Sequence, residues 1–232
     1  PLKQHWERVY ETKDPAEVSW YQPVPERSIA MIRATGIPTQ APLIDIGGGA
    51  STLVDILRNS DYTDITVLDI SGTALAKARD RLGPAADSIS WLETDVTEFD
   101  PQRRYYLWHD RAVFHFLVEP KGVERYLEIL RTALVPGGHF VIATFGPEGP
   151  DRCSGLPVQR YSVDGLANLL QDDFDVRSFE IQDHVTPTGT VQQFLYAWWQ
   201  GWLPAWSLET IRSFVEGFGA LAIIVYILLM AL

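Results

Sequence analysis

The sequence predicts a predominantly parallel α/β sheet with helices on both faces, and three observations carry that prediction. Short apolar strands alternate with helical segments through residues 1–198. A glycine triplet, Gly47-Gly48-Gly49, separates the first strand from the helix after it. The series ends in two strands joined by a turn around Pro187-Thr188-Gly189, and such a hairpin forces one antiparallel strand into an otherwise parallel sheet. The chain has 232 residues, enough for one sizeable domain, or for one domain plus an appendage. Its 46% hydrophobic and 21% charged residues exclude a disordered or fibrous chain.

Each element has a local reason. Residues 25–35 open with Pro and stop before Gly36, as a helix does. Pro42–Ile46 is a short apolar strand running into the glycines, and Ala50–Asn59 has helical spacing at Leu53, Ile56 and Leu57. Asp64–Asp69 reads as a second strand, and Thr73–Leu82 as a helix rich in good helix formers. Ser88–Glu93 and Tyr105–Trp108 are the third and fourth strands. Gly122–Leu134 is a helix stopped by Pro136-Gly137-Gly138, and His139–Phe145 is the fifth strand. Val163–Leu170 is a short helix, and Phe174–Ile181 and Gln192–Trp198 form the closing hairpin.

Charge and cysteine content narrow the function classes. The balance of 19 Lys+Arg against 30 Asp+Glu gives −11, which argues against nucleic acid as a partner. A single cysteine, Cys153, cannot form an internal disulfide, and no paired Cys-x-x-Cys motif offers a metal site. A reducing, cytoplasmic compartment is the expectation. The first twenty residues are too polar for a signal peptide. Pro at position 1 and an apolar run at the other end predict a chain processed or cut from something longer.

The first strand-to-helix turn, Asp45-Ile46-Gly47-Gly48-Gly49-Ala50-Ser51, is the richest signal. Glycines let a ligand approach main-chain N–H groups at a helix start. Asp69 follows Asp45 by 69 − 45 = 24 residues and ends the second strand, where a carboxylate can accept both hydroxyls of a ribose. Asp95 follows 95 − 69 = 26 residues later, where it can receive an adenine amine. A dinucleotide site wants a third Gly or Ala where this chain has Thr52, and Asp45 would face a diphosphate unfavourably. Asp45 suits an ammonium or sulfonium instead, which favours S-adenosyl-L-methionine over NAD. An NAD-dependent oxidoreductase and a non-catalytic nucleotide-binding domain tethered to a membrane module are the alternatives.

The segments LIDIGGGAS, VLDIS and TDV at these spacings resemble the nucleoside-binding motifs of class I S-adenosylmethionine-dependent methyltransferases, over roughly Gln4 to Trp198. His5-Trp6, Tyr10 and Ser19-Trp20-Tyr21 resemble a small bacterial subgroup that shares its N-terminal pattern with some protein-lysine methyltransferases. The resemblance implies a Rossmann-like seven-stranded sheet of order 3-2-1-4-5-7-6 with strand 7 antiparallel. It also implies that Asp45, Gly47 and Gly49 hold the methionine part, Asp69 the ribose, and Asp95 with the Val96 backbone the adenine, with His109 beside the sulfonium; Gly48, Ile70 and Trp20 are further expected cofactor contacts.

The acceptor side is less defined. His109, Asp110 and His115 follow the fourth strand and are candidate catalytic residues. The competing reading has His115 packed among aromatics and Asp110 capping a helix start. No Asn/Asp-Pro-Pro-Tyr/Phe motif follows this strand, which argues against amide or base-nitrogen methylation. In the Gly/Pro-rich loop Gly146–Tyr161, Arg160 and Tyr161 are candidate substrate contacts, and His184 near the hairpin turn is a third. The expected acceptor is a protein lysine or a small molecule, reached by direct in-line transfer.

Residues 199–232 are expected to form a second unit. Trp198–Trp206 is rich in tryptophan, and Leu208–Glu216 has amphipathic helical spacing after Ser207. The sixteen uncharged residues 217–232 would span about 24 Å as a helix, short of the roughly 20 residues a full crossing needs. The segment is similar to the opening of DedA/SNARE-associated-like membrane proteins. A buried helix of the domain, an interfacial anchor and the first part of a truncated span are the three readings; the favoured expectation is a C-terminal apolar helix, with membrane association through residues 207–232 and tethering to the inner face of a membrane.

Overall fold

The computed structural model describes residues 2–202. The helix expected at Leu208–Glu216, the apolar run 217–232 and the membrane association drawn from them lie outside the described residues. Among those described, no helix is long and apolar enough to cross a membrane.

The parallel part of the sheet is built from β1 (Leu43–Ile46), β2 (Ile65–Asp69), β3 (Ser90–Glu93), β4 (Tyr105–Arg111) and β5 (Leu134–Phe145). A two-stranded ribbon, β6 (Arg152–Cys153) with β7 (Leu156–Pro157), follows, and β8 (Phe174–Val185) and β9 (Val191–Gly201) close the sheet. The seven long strands lie in the order β3-β2-β1-β4-β5-β9-β8. β9 runs antiparallel to both β5 and β8, so the expected strand order and the antiparallel last strand are both present.

Among the described residues, six α-helices flank the sheet: α1 (Leu2–Thr12), α2 (Glu26–Ala34), α3 (Leu53–Asn59), α4 (Gly72–Leu82), α5 (Pro120–Ala133) and α6 (Val163–Leu170). Leucines and isoleucines of α2 and α3 pack with Leu43, Val67 and Leu107 on one face of the sheet. Tyr126, Leu130 and Leu166 of α5 and α6 pack with Trp108, Phe140 and Leu195 on the other. Because every interior strand is covered twice, β1 and β2 are buried throughout.

Departures from the sequence expectation fall at β5, at the β8–β9 hairpin and at α1. Pro136-Gly137-Gly138 does not separate helix from strand, since β5 already begins at Leu134. The register runs from Tyr105↔Leu134 to Leu107↔His139, so β5 spends 139 − 134 = 5 residues where β4 spends 107 − 105 = 2. The Pro-Gly-Gly is absorbed as an irregularity within the strand, with Gly137 at φ +74°. β8 and β9 are also longer than expected, because polar Gln182 and Asp183 sit on an open edge strand and still pair with Phe194 and Gln193. Finally, α1 was not expected in so polar a segment. Its Leu2, Trp6, Val9 and Tyr10 recur at helical spacing, and Val9 and Tyr10 are buried.

Glu7 fastens α1 to the start of α4. Its carboxylate accepts from Ser71 Oγ at 2.9 Å, Gly72 N at 2.8 Å and Thr73 N at 3.1 Å, satisfying amides that α4 leaves open. Burial alone would raise the Glu7 carboxyl; the bonds from Thr73, Ser71 and Gly72 outweigh it and hold the group below its ordinary 4.5. A lowered acid stabilises above that ordinary value and loses the contribution as pH falls through the lowered one. Glu7→Ala is expected to cost about 1 kcal/mol, in the range of a lost helix cap. Amide exchange should then accelerate across Leu2–Thr12 at neutral pH, and the wild type should approach that behaviour in acid. Unchanged protection of α1 in the variant would contradict this attachment.

Candidate active site

The carboxyl ends of β1, β2 and β4 open onto a crevice. Gly47 leaves β1 at φ +65°, a left-handed conformation that glycine adopts freely, and its N–H donates to Leu68 O at 2.7 Å. A Cβ at Gly47 would run into Val113, and one at Gly49 into the Asp69 carboxylate. The chain therefore passes between two strand ends with no room for a side chain, leaving its backbone as the floor of the crevice.

Asp45 stands opposite His109 in the β1–β4 register. His109 Nδ1 donates to Asp45 Oδ1 at 2.6 Å, and Nε2 pairs with Ser28 Oγ of α2 at 2.9 Å. All three residues are buried. Both ring nitrogens of His109 are thus engaged by the protein, and the imidazole acts as a strut that fixes the Asp45 carboxylate.

Asp69 ends β2. Its Oδ1 accepts from Ser71 N at 2.8 Å. Burial pushes its carboxyl up to about 7 against the pull of the Ser71 amide, with the Asp45 and Glu7 charges adding to the rise. Asp95 follows β3, and its Oδ1 accepts from both the amide and the hydroxyl of Thr97, at 2.8 and 2.7 Å. Asp69, Ile70, Asp95 and Val96 line one cavity together with Gly47, Val113 and Leu117. Asp45, Gly48, His109 and Ser28 line a second. Gly47, Ile46, Tyr10, Trp20 and Arg111 border both, so the two cavities adjoin.

The aromatic rim comes from the N-terminal segment. The Trp6 ring meets Trp20 edge-on at 5.6 Å and Phe116 at 5.1 Å. The loop carrying Trp20 is held from below, because Arg111 NH1 donates to Trp20 O at 2.8 Å and His184 Nε2 donates to Ser19 O at 2.7 Å. Arg111 Nε also donates to the Tyr196 hydroxyl at 3.2 Å, and its guanidinium lies 5.2 Å from the centre of the Phe194 ring.

The remaining sequence candidates sit elsewhere. Asp110 is fully buried on the opposite face of β4. It accepts from Val113 N at 3.0 Å, Phe114 N at 3.3 Å and Tyr126 OH at 2.7 Å. Those bonds shape the chain after β4, where Ala112 takes φ +69°. His115 is fully buried, stacked on Phe145 at 4.4 Å, and accepts from Phe145 N. Burial, reinforced by the Arg111 charge, lowers it to about 3, so it stays neutral and cannot take up a proton near pH 7. Neither residue borders the two cavities, so the expectation that Asp110 and His115 act on substrate gives way to packing and loop support.

Tyr161 is buried against Phe114 at 5.2 Å. Arg160 is exposed and donates to Gly149 O at 3.3 Å, and His184 serves the Ser19 loop. None of these three borders the two cavities either. Arg111, Ser28 and Glu7 were absent from the sequence expectation. Arg111 could have been found as the position two residues beyond His109, hence on the same face of the strand.

Residues 44–140, from β1 into β5, match the family model described as a methyltransferase domain. Over those residues the chain is similar to a methyltransferase domain. Malonyl-[acyl-carrier protein] O-methyltransferase 2 of Ilyobacter polytropus is 27% identical over 107 residues, covering 46% of this chain and 40% of that protein. The eEF1A lysine and N-terminal methyltransferase of Mus musculus is 23% identical over 144 residues, 59% of this chain and 20% of that one. The chain therefore spans well under half the length of these curated relatives. Among solved structures, the N-methyltransferase NodS from Bradyrhizobium japonicum in complex with S-adenosyl-L-homocysteine superposes with a TM-score of 0.67 at 18% identity, over 88% of this chain and 98% of that one. That likeness shows a shared fold over 88% of this chain.

Proposed function

We propose that the chain is an S-adenosyl-L-methionine-dependent methyltransferase acting by direct in-line transfer on a small-molecule or protein acceptor. The observation that carries this reading is the pair of adjoining cavities with carboxylates fixed at the strand ends: Asp45 braced by His109 and Ser28 in one, Asp69 and Asp95 in the other. The methyl donor, when bound, supplies an electrophilic methyl group on a sulfonium. Asp45 and the Gly47–Gly49 backbone are suited to its amino-acid part, Asp69 to the ribose, and Ile70, Asp95 and Val96 to the adenine. The floor fits such a ligand, because the backbone of Gly47 and Gly49 is bare where any Cβ would collide.

The chain's own contribution is positioning. Trp6, Trp20 and Phe116 exclude water from above, and Arg111 fixes the Trp20 carbonyl. An oxidoreductase reading is disfavoured by the same geometry, since the Asp45 and Asp69 carboxylates flank the turn that would have to receive a diphosphate. S-adenosylmethionine is expected to raise the melting temperature of the full chain and NAD to leave it unchanged, because a ligand of the native state stabilises by mass action. A rise with NAD alone would contradict the proposal.

We place the protein in a reducing, cytoplasmic compartment, on the strength of its single cysteine, with residues 207–232 as a membrane tether on the strength of their sequence. Fractionation of cells expressing the chain with and without residues 207–232 tests the tether. Membrane recovery only with the segment supports it, and recovery in the soluble fraction for both contradicts it.

A further inference from the structure

Among the described residues, Arg111 is the one cation that borders both cavities. Two of its nitrogens have structural partners, Nε with Tyr196 and NH1 with Trp20. The third, NH2, is buried with no hydrogen-bond partner, and Arg111 forms no ion pair among the described residues. A buried guanidinium nitrogen without an acceptor is costly, and an Arg fork matches a carboxylate in shape and charge. Its surroundings are apolar: the Phe194 ring lies 5.2 Å away, and Trp20, Phe116, Val113 and Cys153 line the cavity beside it.

Among the described residues, the crevice's carboxylates Asp45, Asp69 and Asp95 are the groups assigned to the donor, and no free imidazole or thiolate stands beside Arg111. His109 is bonded at both nitrogens, and His115 lies outside the lining. Burial pushes the Cys153 thiol up to about 11, so it stays protonated. An ammonium acceptor would have to lose a proton before attack, whereas a carboxylate arrives ionised.

Resting on the methyltransferase reading above, we propose that Arg111 NH2 holds the carboxylate of the acceptor and that the product is a methyl ester. A carboxylate oxygen lone pair forms the O–CH3 bond as the S–CH3 bond breaks, and that electron pair passes to sulfur. No proton is taken up or released. The negative acceptor and positive donor become two neutral products, and an apolar wall favours the partly neutralised transition state over separated ions.

The test uses the full chain, donor carrying a tritiated methyl group, and straight-chain mono- and dicarboxylic acids beside the matching amines. Methyl esters release volatile labelled methanol on alkaline hydrolysis, and N-methyl products do not. The expected result is alkali-labile label from acids and none from amines. Arg111→Met should lower kcat/KM for the acid about 10- to 100-fold, as expected for one lost charge-assisted pair. Its affinity for S-adenosylhomocysteine, measured by calorimetry, should stay within about threefold, which also shows that the variant is folded. Alkali-stable label, or no product from any acid while donor binds, overturns the carboxylate assignment. Donor affinity falling in step with turnover would assign Arg111 to the donor's own carboxylate and overturn it too. Absence of donor binding in the wild type would instead remove the methyltransferase reading beneath it.

Discussion

Asp110→Ala is expected to destabilise the domain by about 3–5 kcal/mol, the range for leaving buried partners of a charged group unpaired. Val113 N, Phe114 N and Tyr126 OH all donate to this carboxylate, and Tyr126 OH in turn accepts from Trp108 Nε1 at 2.8 Å. Removing the carboxylate orphans three donors inside the core and releases the left-handed turn at Ala112. Burial raises the Asp110 carboxyl to about 6 even with those donors in place, so near pH 7 the wild type keeps the ionised form they need. A urea melt reads the loss as a lower midpoint with unchanged slope. If stability stayed within about 0.5 kcal/mol, the level of an ordinary surface substitution, and methyl transfer alone were lost, Asp110 would be a catalytic residue after all.

Asp69→Ala is expected to weaken donor binding by roughly 2–4 kcal/mol, from two charge-assisted bonds at about 1.5–3 each with incomplete additivity. The raised value near 7 gives the site a pH signature. Between about pH 4 and 7 the folded, donor-free domain holds a proton on Asp69 that the unfolded chain has lost, so this group's contribution to stability falls as pH rises. Donor hydroxyls favour the ionised carboxylate, so binding expels that proton and affinity should decline as pH drops below about 7. Asp69→Asn should bind more weakly and without that slope. A wild-type affinity flat from pH 6 to 8, or unchanged in the alanine variant, would leave Asp69 as a mere cap for α4.

The alternation of strands and helices was legible because each buried strand is a short apolar run and each helix a 3.6-residue pattern, whereas the strand order followed from the resemblance to class I methyltransferases. The closing hairpin announced itself through Pro187-Thr188-Gly189, and Gly189 does take φ +85°. Asp45, Asp69 and Asp95 could be assigned to one edge of the sheet from their positions at or just after strand ends. What escaped depends on contacts distant in sequence. Ser28 meets His109 across 109 − 28 = 81 residues, and Glu7 meets Gly72 across 72 − 7 = 65. Arg111 escaped because the fourth strand was expected to end at Trp108, whereas pairing with β5 carries it to Arg111. His115 reads as a candidate base in sequence, and only its full burial against Phe145 shows why it stays neutral.

The claim on which the rest depends is that the methyl donor lies across the ends of β1, β2 and β4. A crystal structure of the full chain with S-adenosylhomocysteine tests it most directly. The prediction is ribose hydroxyls donating to the Asp69 carboxylate, adenine between Ile70 and Val96 with its amine toward Asp95, and the amino-acid end over the Gly47–Gly49 turn beside Asp45. Ligand density anywhere else, or a crevice still filled by Trp6 and Trp20 at saturating ligand, would contradict it.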